Sequence, residues 1–116
     1  ALSAAGRRTV QPAVQAALRY IEEHLDEDLD RDQVAAVVGL SPAHFSRLLK
    51  KKAGAGFGEL LGRLRIDRAC GLLRSTDKSL VAISLEVGFS DQSYFTKVFR
   101  RHTGLTPKEW RRRNRT

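Results

Sequence analysis

Two segments of the chain can form helices whose outward side carries groups that match the edges of nucleic-acid bases. The first segment follows Gly39 and the second follows Gly88. Arg47 in the first can present two parallel donors to guanine O6 and N7, and Gln92 in the second can pair similarly with adenine. Ala43 offers a methyl group that suits the methyl group of thymine. The other outward side chains are Ser46, Lys50, Ser93, Thr96, Lys97 and Arg100.

Several polar and basic side chains beside these helices are candidates for contacts with phosphates rather than with bases. They are Ser41, His44, Lys50, Lys51, Ser90, Thr96, Arg100 and Arg101. Helix N-termini can bind phosphate through backbone N–H groups, but Ser41 and Ser90 can equally act only as helix caps. The lysines can form a solvated face, and His44 can cap, contact phosphate or simply be exposed. The side chain of Tyr94 fits either the core or a position beside the DNA backbone.

The two segments belong to an internal repeat. A shift of 50 residues pairs residues 45–51 with residues 95–101, in matching residue classes. Before this stretch the shift is 49 and pairs Gly39 with Gly88, so the second turn contains one extra residue. Only two units are present and an unlike segment separates them, which argues against an open solenoid. The repeat predicts two helix-turn-helix units.

Apolar residues at helical spacing, separated by caps and glycines, predict an all-α fold of seven helices. Residues 1–9 are expected to be a linker or disordered N-terminus, and residues 10–113 to form the domain. We expect a first helix at about 12–25 and a first helix-turn-helix unit at about 30–53. A long linking helix at about 57–74 should follow, and then a second helix-turn-helix unit at about 79–103. The capping box of Thr106 and Glu109 predicts a short last helix. Because the linking helix is apolar on more than one side, we expect it to join two small lobes.

Positive charge is concentrated in the part of the chain that contains the repeat. The formal net charge is +8, but residues 1–40 carry −3 and residues 41–116 carry +11. One explanation is a solvated surface, and the other is an electrostatic footprint for a polyanion such as double-stranded DNA.

The sequence offers little for enzymatic chemistry. It has one cysteine, Cys70, so it can form no internal disulfide and no multi-thiolate metal site. Its three histidines are far apart, and it contains no paired carboxylates, nucleophile–base pair or phosphate-cradling glycine loop. No run of 18 apolar residues exists, so no membrane span is expected. We therefore predict no catalytic activity, no cofactor and no metal, with Cys70 a small buried hydrophobe.

Residues in the second half resemble the C-terminal DNA-binding domain of AraC/XylS transcription regulators. The densest match is residues 87–101, Val-Gly-Phe-Ser-Asp-Gln-Ser-Tyr-Phe-Thr-Lys-Val-Phe-Arg-Arg, followed by Gly-Leu-Thr-Pro at 104–107 and Trp-Arg at 110–111. The segment Arg-Ile-Asp-Arg-Ala-Cys-Gly-Leu-Leu at 65–73 resembles the linking helix of that family. The likeness extends over about residues 12–113, and the two-unit spacing distinguishes it from a single helix-turn-helix.

The resemblance implies two recognition helices that enter neighbouring major grooves on one face of the DNA. By position, the base-reading candidates that it implies are Ala43, Ser46, Arg47, Gln92, Ser93, Tyr94 and Lys97. It also implies a cytoplasmic bacterial regulator, an activator that contacts RNA polymerase. Because the chain begins with Ala1 and contains no methionine, we expect a fragment. The resemblance implies an effector-binding, dimerisation or receiver domain outside it, although a minority of the family stand alone. An alternative is a module that binds another protein through the acidic region around Glu22 and Glu23.

Overall fold

In the computed structural model, the backbone is described from Leu2 to Arg115 and the side chains from Pro12 to Arg115. This part of the chain forms seven α-helices and no strand, as the sequence predicts. The helices are α1 (Leu2–Glu23), α2 (Arg31–Val37), α3 (Pro42–Ala53), α4 (Phe57–Ser75), α5 (Leu80–Glu86), α6 (Gln92–Thr103) and α7 (Pro107–Asn114). Over the same residues, none of the helices is both long and apolar enough to span a membrane.

Helix α1 differs from its prediction at both ends. The sequence analysis places its start near Pro12 and a linker over residues 1–9, but the backbone is helical from Leu2 onward. Three of residues 1–11 are alanine and two are arginine, and both types are strong helix formers. Pro12, the expected start, lies inside the helix. At the other end the helix stops at Glu23 rather than Leu25.

The chain divides into two compact units. The first contains the chain up to His24 and Leu29–Leu61, and the second contains Leu25–Asp28 and the chain from Gly62 onward. Helix α4 therefore contributes its first residues to one unit and the rest to the other. In the first unit α1, α2 and α3 pack on one another. Its fully buried side chains are Ala17, Ile21, Val34, Ala35, Phe45 and Leu49.

The core of the second unit is built around aromatic rings. Phe95 and Phe99 of α6 are fully buried, with ring centroids 5.8 Å apart, and Phe99 meets the edge of Trp110 at 6.3 Å. Ile66, Ala69 and Leu73 of α4, Ile83 of α5 and Val87, which follows α5, complete this core. Burial of large apolar surfaces of this kind is the main stabilising contribution to such a small unit. It also fixes which side of α6 faces outward.

Local signals determine most helix boundaries. The side chains of Asp30, Ser41 and Ser79 each accept a hydrogen bond from a backbone N–H in the first turn of the following helix. Thr106 and Glu109 form the predicted capping box at the start of α7. Such caps satisfy backbone donors that have no partner within the helix.

Candidate nucleic-acid interface

Helix α3 has one buried side and one exposed, basic side. Its buried side chains are Phe45, Leu48 and Leu49. The exposed candidates on this helix are Ala43, His44, Arg47, Lys50 and Lys51, and Ser46 is partly exposed. The three lysines of the last turn interact favourably with the negative end of the helix dipole, so they contribute to helix stability as well as to surface charge.

Ser41 is a helix cap. Its Oγ accepts a hydrogen bond from the backbone N–H of His44 at 3.2 Å, and the side chain remains exposed. Pro42 follows at the first helical position, where the absence of an N–H costs nothing.

The sequence analysis missed Arg31 as a member of this surface. Arg31 is the first residue of α2, and its Nη1 donates to Ser46 Oγ at 3.3 Å, while its Nε donates to Asp32 at 3.0 Å. The guanidinium therefore lies beside a base-reading candidate of α3. No local sequence signal indicates this, because the contact joins residues 15 positions apart.

Helix α6 repeats the arrangement. Phe95, Val98 and Phe99 are buried, and the last turn contains Arg100, Arg101 and His102. The candidates on its other side are Ser93, Tyr94, Lys97, Arg100 and Arg101, which are exposed, with Gln92 and Thr96 partly exposed. Apart from Ser90, the predicted site residues of the second unit thus lie on the surface of one helix.

Asp91, rather than Ser90, is the cap of α6. Its carboxylate accepts a hydrogen bond from the backbone N–H of Ser93 at 3.0 Å. Ser90 precedes the cap and is exposed. Both residue types favour cap positions and the two are adjacent, so the sequence alone does not decide between them.

Tyr94 lies at the surface rather than in the core. Its side chain is 55% exposed, and its ring contacts that of Phe89 with centroids 5.9 Å apart. Phe89 is buried and also packs against Phe95. One edge of the tyrosine is therefore held against the core while the rest is accessible to a ligand.

Arg65 holds the turn before α6 in place from within the second unit. Its guanidinium donates to the backbone oxygens of Leu25 at 3.0 Å and Glu27 at 2.9 Å, and it lies 5.7 Å from the Phe89 ring centroid. Gly88 has a φ of 104°, and a Cβ there would collide with Leu25 O and with Arg65 Nε. The turn therefore requires glycine for both conformation and space. Burial lowers the pKa of Arg65, against the opposing charges of Asp28 and Asp26.

Several cations of the second unit are engaged within the protein. Arg111 donates to three backbone oxygens after and within the last turn of α4, at 2.8–3.2 Å. Lys78 pairs with Glu86, and Arg115 pairs with Asp77 at 2.8 Å. Arg111, although it begins a run of arginines in the sequence, is a structural residue.

The side chains described here offer little for other chemistry. Among them, no group of three or more histidine, cysteine or carboxylate side chains is placed to hold a metal ion. Burial, with a smaller contribution from Asp67, raises the pKa of Cys70 to about 11, which keeps the thiol protonated and unreactive near neutral pH. Cys70 is partly buried against the aromatic core, close to the expected role of a small hydrophobe.

Comparison with known proteins places this geometry in a family. A family model described as a helix-turn-helix domain matches residues 34–113. The regulatory protein PocR of Salmonella typhimurium is 46% identical over 95 residues, which are 82% of this chain and 31% of PocR. The chain spans about a third of the length of PocR and of two further curated relatives that it matches.

Solved structures have the same fold. An AraC-type transcriptional regulator from Chromobacterium violaceum superimposes with a TM-score of 0.86 at 36% identity, covering 90% of this chain and 93% of that one. The DNA-binding domain of AdpA, a global transcriptional factor solved in complex with a target DNA, gives 0.81 at 26% identity, covering 88% and 91%. The paired helix-turn-helix units, the family model and these relatives agree: the chain belongs to the AraC family of DNA-binding transcription regulators, a family of regulators rather than enzymes.

Proposed function

We propose that the chain binds an asymmetric DNA site of roughly 20 base pairs by inserting α3 and α6 into successive major grooves, which are one helical turn apart. The observation that carries this proposal is that both helices combine a buried apolar side with an exposed basic side. A recognition helix needs both, because one side packs on its own unit and the other enters a groove about 12 Å wide.

Within this proposal the two helices divide the contacts by side-chain chemistry. Base edges are read by Ala43, Ser46, Arg47, Gln92, Ser93, Tyr94 and Lys97. Phosphates are bound by Ser41, His44, Lys50, Lys51, Ser90, Thr96, Arg100 and Arg101. The exposure of most of these side chains supports the assignment, and Ser90 and Ser41 contribute as neighbours of helix N-termini.

We further propose that the bound protein activates transcription through RNA polymerase. A cleft of about 580 Å³ in the second unit supports this, because it combines acidic and apolar groups suited to a basic protein surface. Its lining includes Asp26, Glu27, Asp28 and Leu85, and also Ser90 and Tyr94, so the surface proposed for polymerase adjoins the one proposed for DNA. Leu85 is apolar and 56% exposed, so it offers a partner an apolar contact.

The greater length of the relatives supports further domains in the whole regulator. The chain spans 31% of PocR and 33% of a GlxA regulator from Rhizobium meliloti. We propose that an effector-binding, dimerisation or receiver domain controls the activity of this DNA-binding part at the chromosome.

Selection of bound sequences from a random duplex library tests the DNA proposal. We expect two conserved blocks about one helical turn apart, without a palindrome. Arg47→Ala should relax preference in one block and Lys97→Ala in the other, each with a loss of about 1–3 kcal/mol in binding free energy. Lys78→Ala removes the same charge as Lys97→Ala from a side chain that pairs with Glu86, and should cost less. A single conserved block, or equal losses on all sequences, would contradict the two-groove proposal.

Charge reversal in the cleft tests the polymerase proposal separately. Asp26→Lys should lower transcription from a target promoter without weakening DNA binding in vitro. Unchanged transcription would argue against this surface.

A further inference from the structure

We infer that Arg31 is a phosphate contact of the first unit, held in position by Ser46 before DNA binds. Arg31 belongs to α2, the shorter helix of the unit, yet its Nη1 lies 3.3 Å from Ser46 Oγ on α3. In a helix-turn-helix the first helix crosses the DNA backbone while the second reads the bases. A guanidinium at the first residue of α2 is therefore suited to a backbone phosphate next to the bases that α3 reads. This inference rests on the DNA-binding function proposed above.

The contact also determines the hydrogen bonding of Ser46. A serine hydroxyl has one donor and two acceptor positions. When Arg31 donates to Ser46 Oγ, one acceptor position is used and the hydroxyl hydrogen remains available. Ser46 is then best suited to an acceptor on a base edge, such as guanine O6 or N7 or thymine O4. Arg31 thus binds the DNA backbone directly and, through its hydrogen bond to Ser46, influences which base is preferred.

Asp32 competes with DNA for the same guanidinium. Arg31 Nε donates to its carboxylate at 3.0 Å, with the two side chains 47% and 67% exposed. Exposed ion pairs of this kind are weak and are screened by salt. A bidentate hydrogen bond to a phosphate is stronger than this exposed ion pair. The Arg31 guanidinium therefore leaves the Asp32 carboxylate and binds a phosphate when DNA binds.

Among its described residues, the second unit has no equivalent of the contact between Arg31 and Ser46. The shift of 49 residues that relates α2 to α5 places Leu80 at the position of Arg31, and Leu80 packs against the apolar core. The proposed contact therefore distinguishes the two halves of the DNA site.

Binding of this chain to duplex DNA over a range of salt concentrations tests the inference. Arg31→Ala should weaken binding roughly five- to tenfold and reduce the slope of log affinity against log salt by about 0.9, the value for one phosphate. Arg115→Ala is the matched control, because it removes the same charge from an arginine that pairs with Asp77. Asp32→Asn should strengthen binding more than Asp77→Asn, and this gain should disappear when Arg31 is also alanine.

The outcomes separate this inference from the proposed function. Phosphates occur in every duplex, so Arg31→Ala should weaken binding to DNA of mixed sequence as well. If selection finds no preferred site, only the proposed function is contradicted, and this inference still stands or falls on the loss of affinity in Arg31→Ala. Equal effects of Arg31→Ala and Arg115→Ala would overturn the inference. So would an Asp32→Asn gain that persists without Arg31. On a selected site, Ser46→Ala and Arg31→Ala should relax the same base position, and independent effects would refute the link between them.

Discussion

Replacement of Gly88 by alanine should destabilise the protein far more than the same replacement of Gly39, its counterpart in the repeat. Both glycines have positive φ, 104° and 73°. A left-handed backbone costs an L-residue about 1–2 kcal/mol, so both variants carry this strain. At Gly39 an added Cβ meets no described atom within 4 Å, and the strain is the whole expected effect.

At Gly88 the added atom has no space. It would collide with the backbone oxygen of Leu25 and lie 2.7 Å from Arg65 Nε. These two groups are hydrogen-bonded to each other, so relieving the collision breaks a bond to a charged group. Such a bond contributes about 1.5–3 kcal/mol, which brings the expected loss to about 2.5–5 kcal/mol.

Urea unfolding measures the difference. Far-UV circular dichroism reports helix loss in both variants, and the fluorescence of Trp110, the single tryptophan, reports the second unit, where its ring meets Phe99. If Gly88→Ala does not fold, Arg65→Ala removes the same hydrogen bond, together with the one to Glu27 O, without adding an atom, and should lose at least about 1.5–3 kcal/mol. Equal losses in Gly39→Ala and Gly88→Ala, or no loss in Arg65→Ala, would refute the reasoning.

Three further predictions follow from the second unit. Arg111→Ala leaves three backbone oxygens without their donor and should lower the free energy of unfolding, measured in urea titrations, by about 2–4 kcal/mol. Arg111→Lys should not restore this stability, because lysine lacks the planar guanidinium that donates to several oxygens at once. Cys70, with its pKa raised to about 11, should react with a thiol reagent at pH 8 far more slowly in the native protein than in denaturant, and equal rates would contradict its burial. Hydrogen bonds from Thr106 lower the pKa of Glu109. This carboxylate therefore stabilises the fold at pH values above its unfolded pKa of about 4.3, and the stabilisation is lost as the pH falls through the lowered pKa of the folded state. The difference in urea midpoint between wild type and Glu109→Gln should therefore be present at pH 7 and shrink towards pH 3, and a difference independent of pH would exclude this linkage.

Elements determined by nearby residues could be predicted from the sequence. The capping box of Thr106 and Glu109 forms as expected, because its partners are three residues apart. The repeat predicted the buried sides of α3 and α6, since a helix with aromatic residues on one side must bury that side. The shifts of 50 and 49 residues also hold for the helix boundaries, with α3 matching α6 and α2 matching α5.

Contacts between distant residues could not be predicted in this way. Arg111 resembles its neighbours in a basic segment, and only the folded chain brings it to backbone oxygens 33–38 residues away. Arg65 binds backbone oxygens of the loop after α1, which lie 38–40 residues away. The start of α1 was also wrong, because the helix continues past Pro12 to Leu2 although proline lacks the backbone donor of other residues.

The equal construction of α3 and α6 makes their outward residues exchangeable in principle. Both helices have twelve residues and end at a left-handed glycine, Gly54 or Gly104, with buried positions in the same register. Transplanting the exposed side of one onto the other changes no buried residue and no cap. Under the two-groove proposal, new operator specificities would be engineered one half-site at a time, by grafting surface residues onto an intact scaffold.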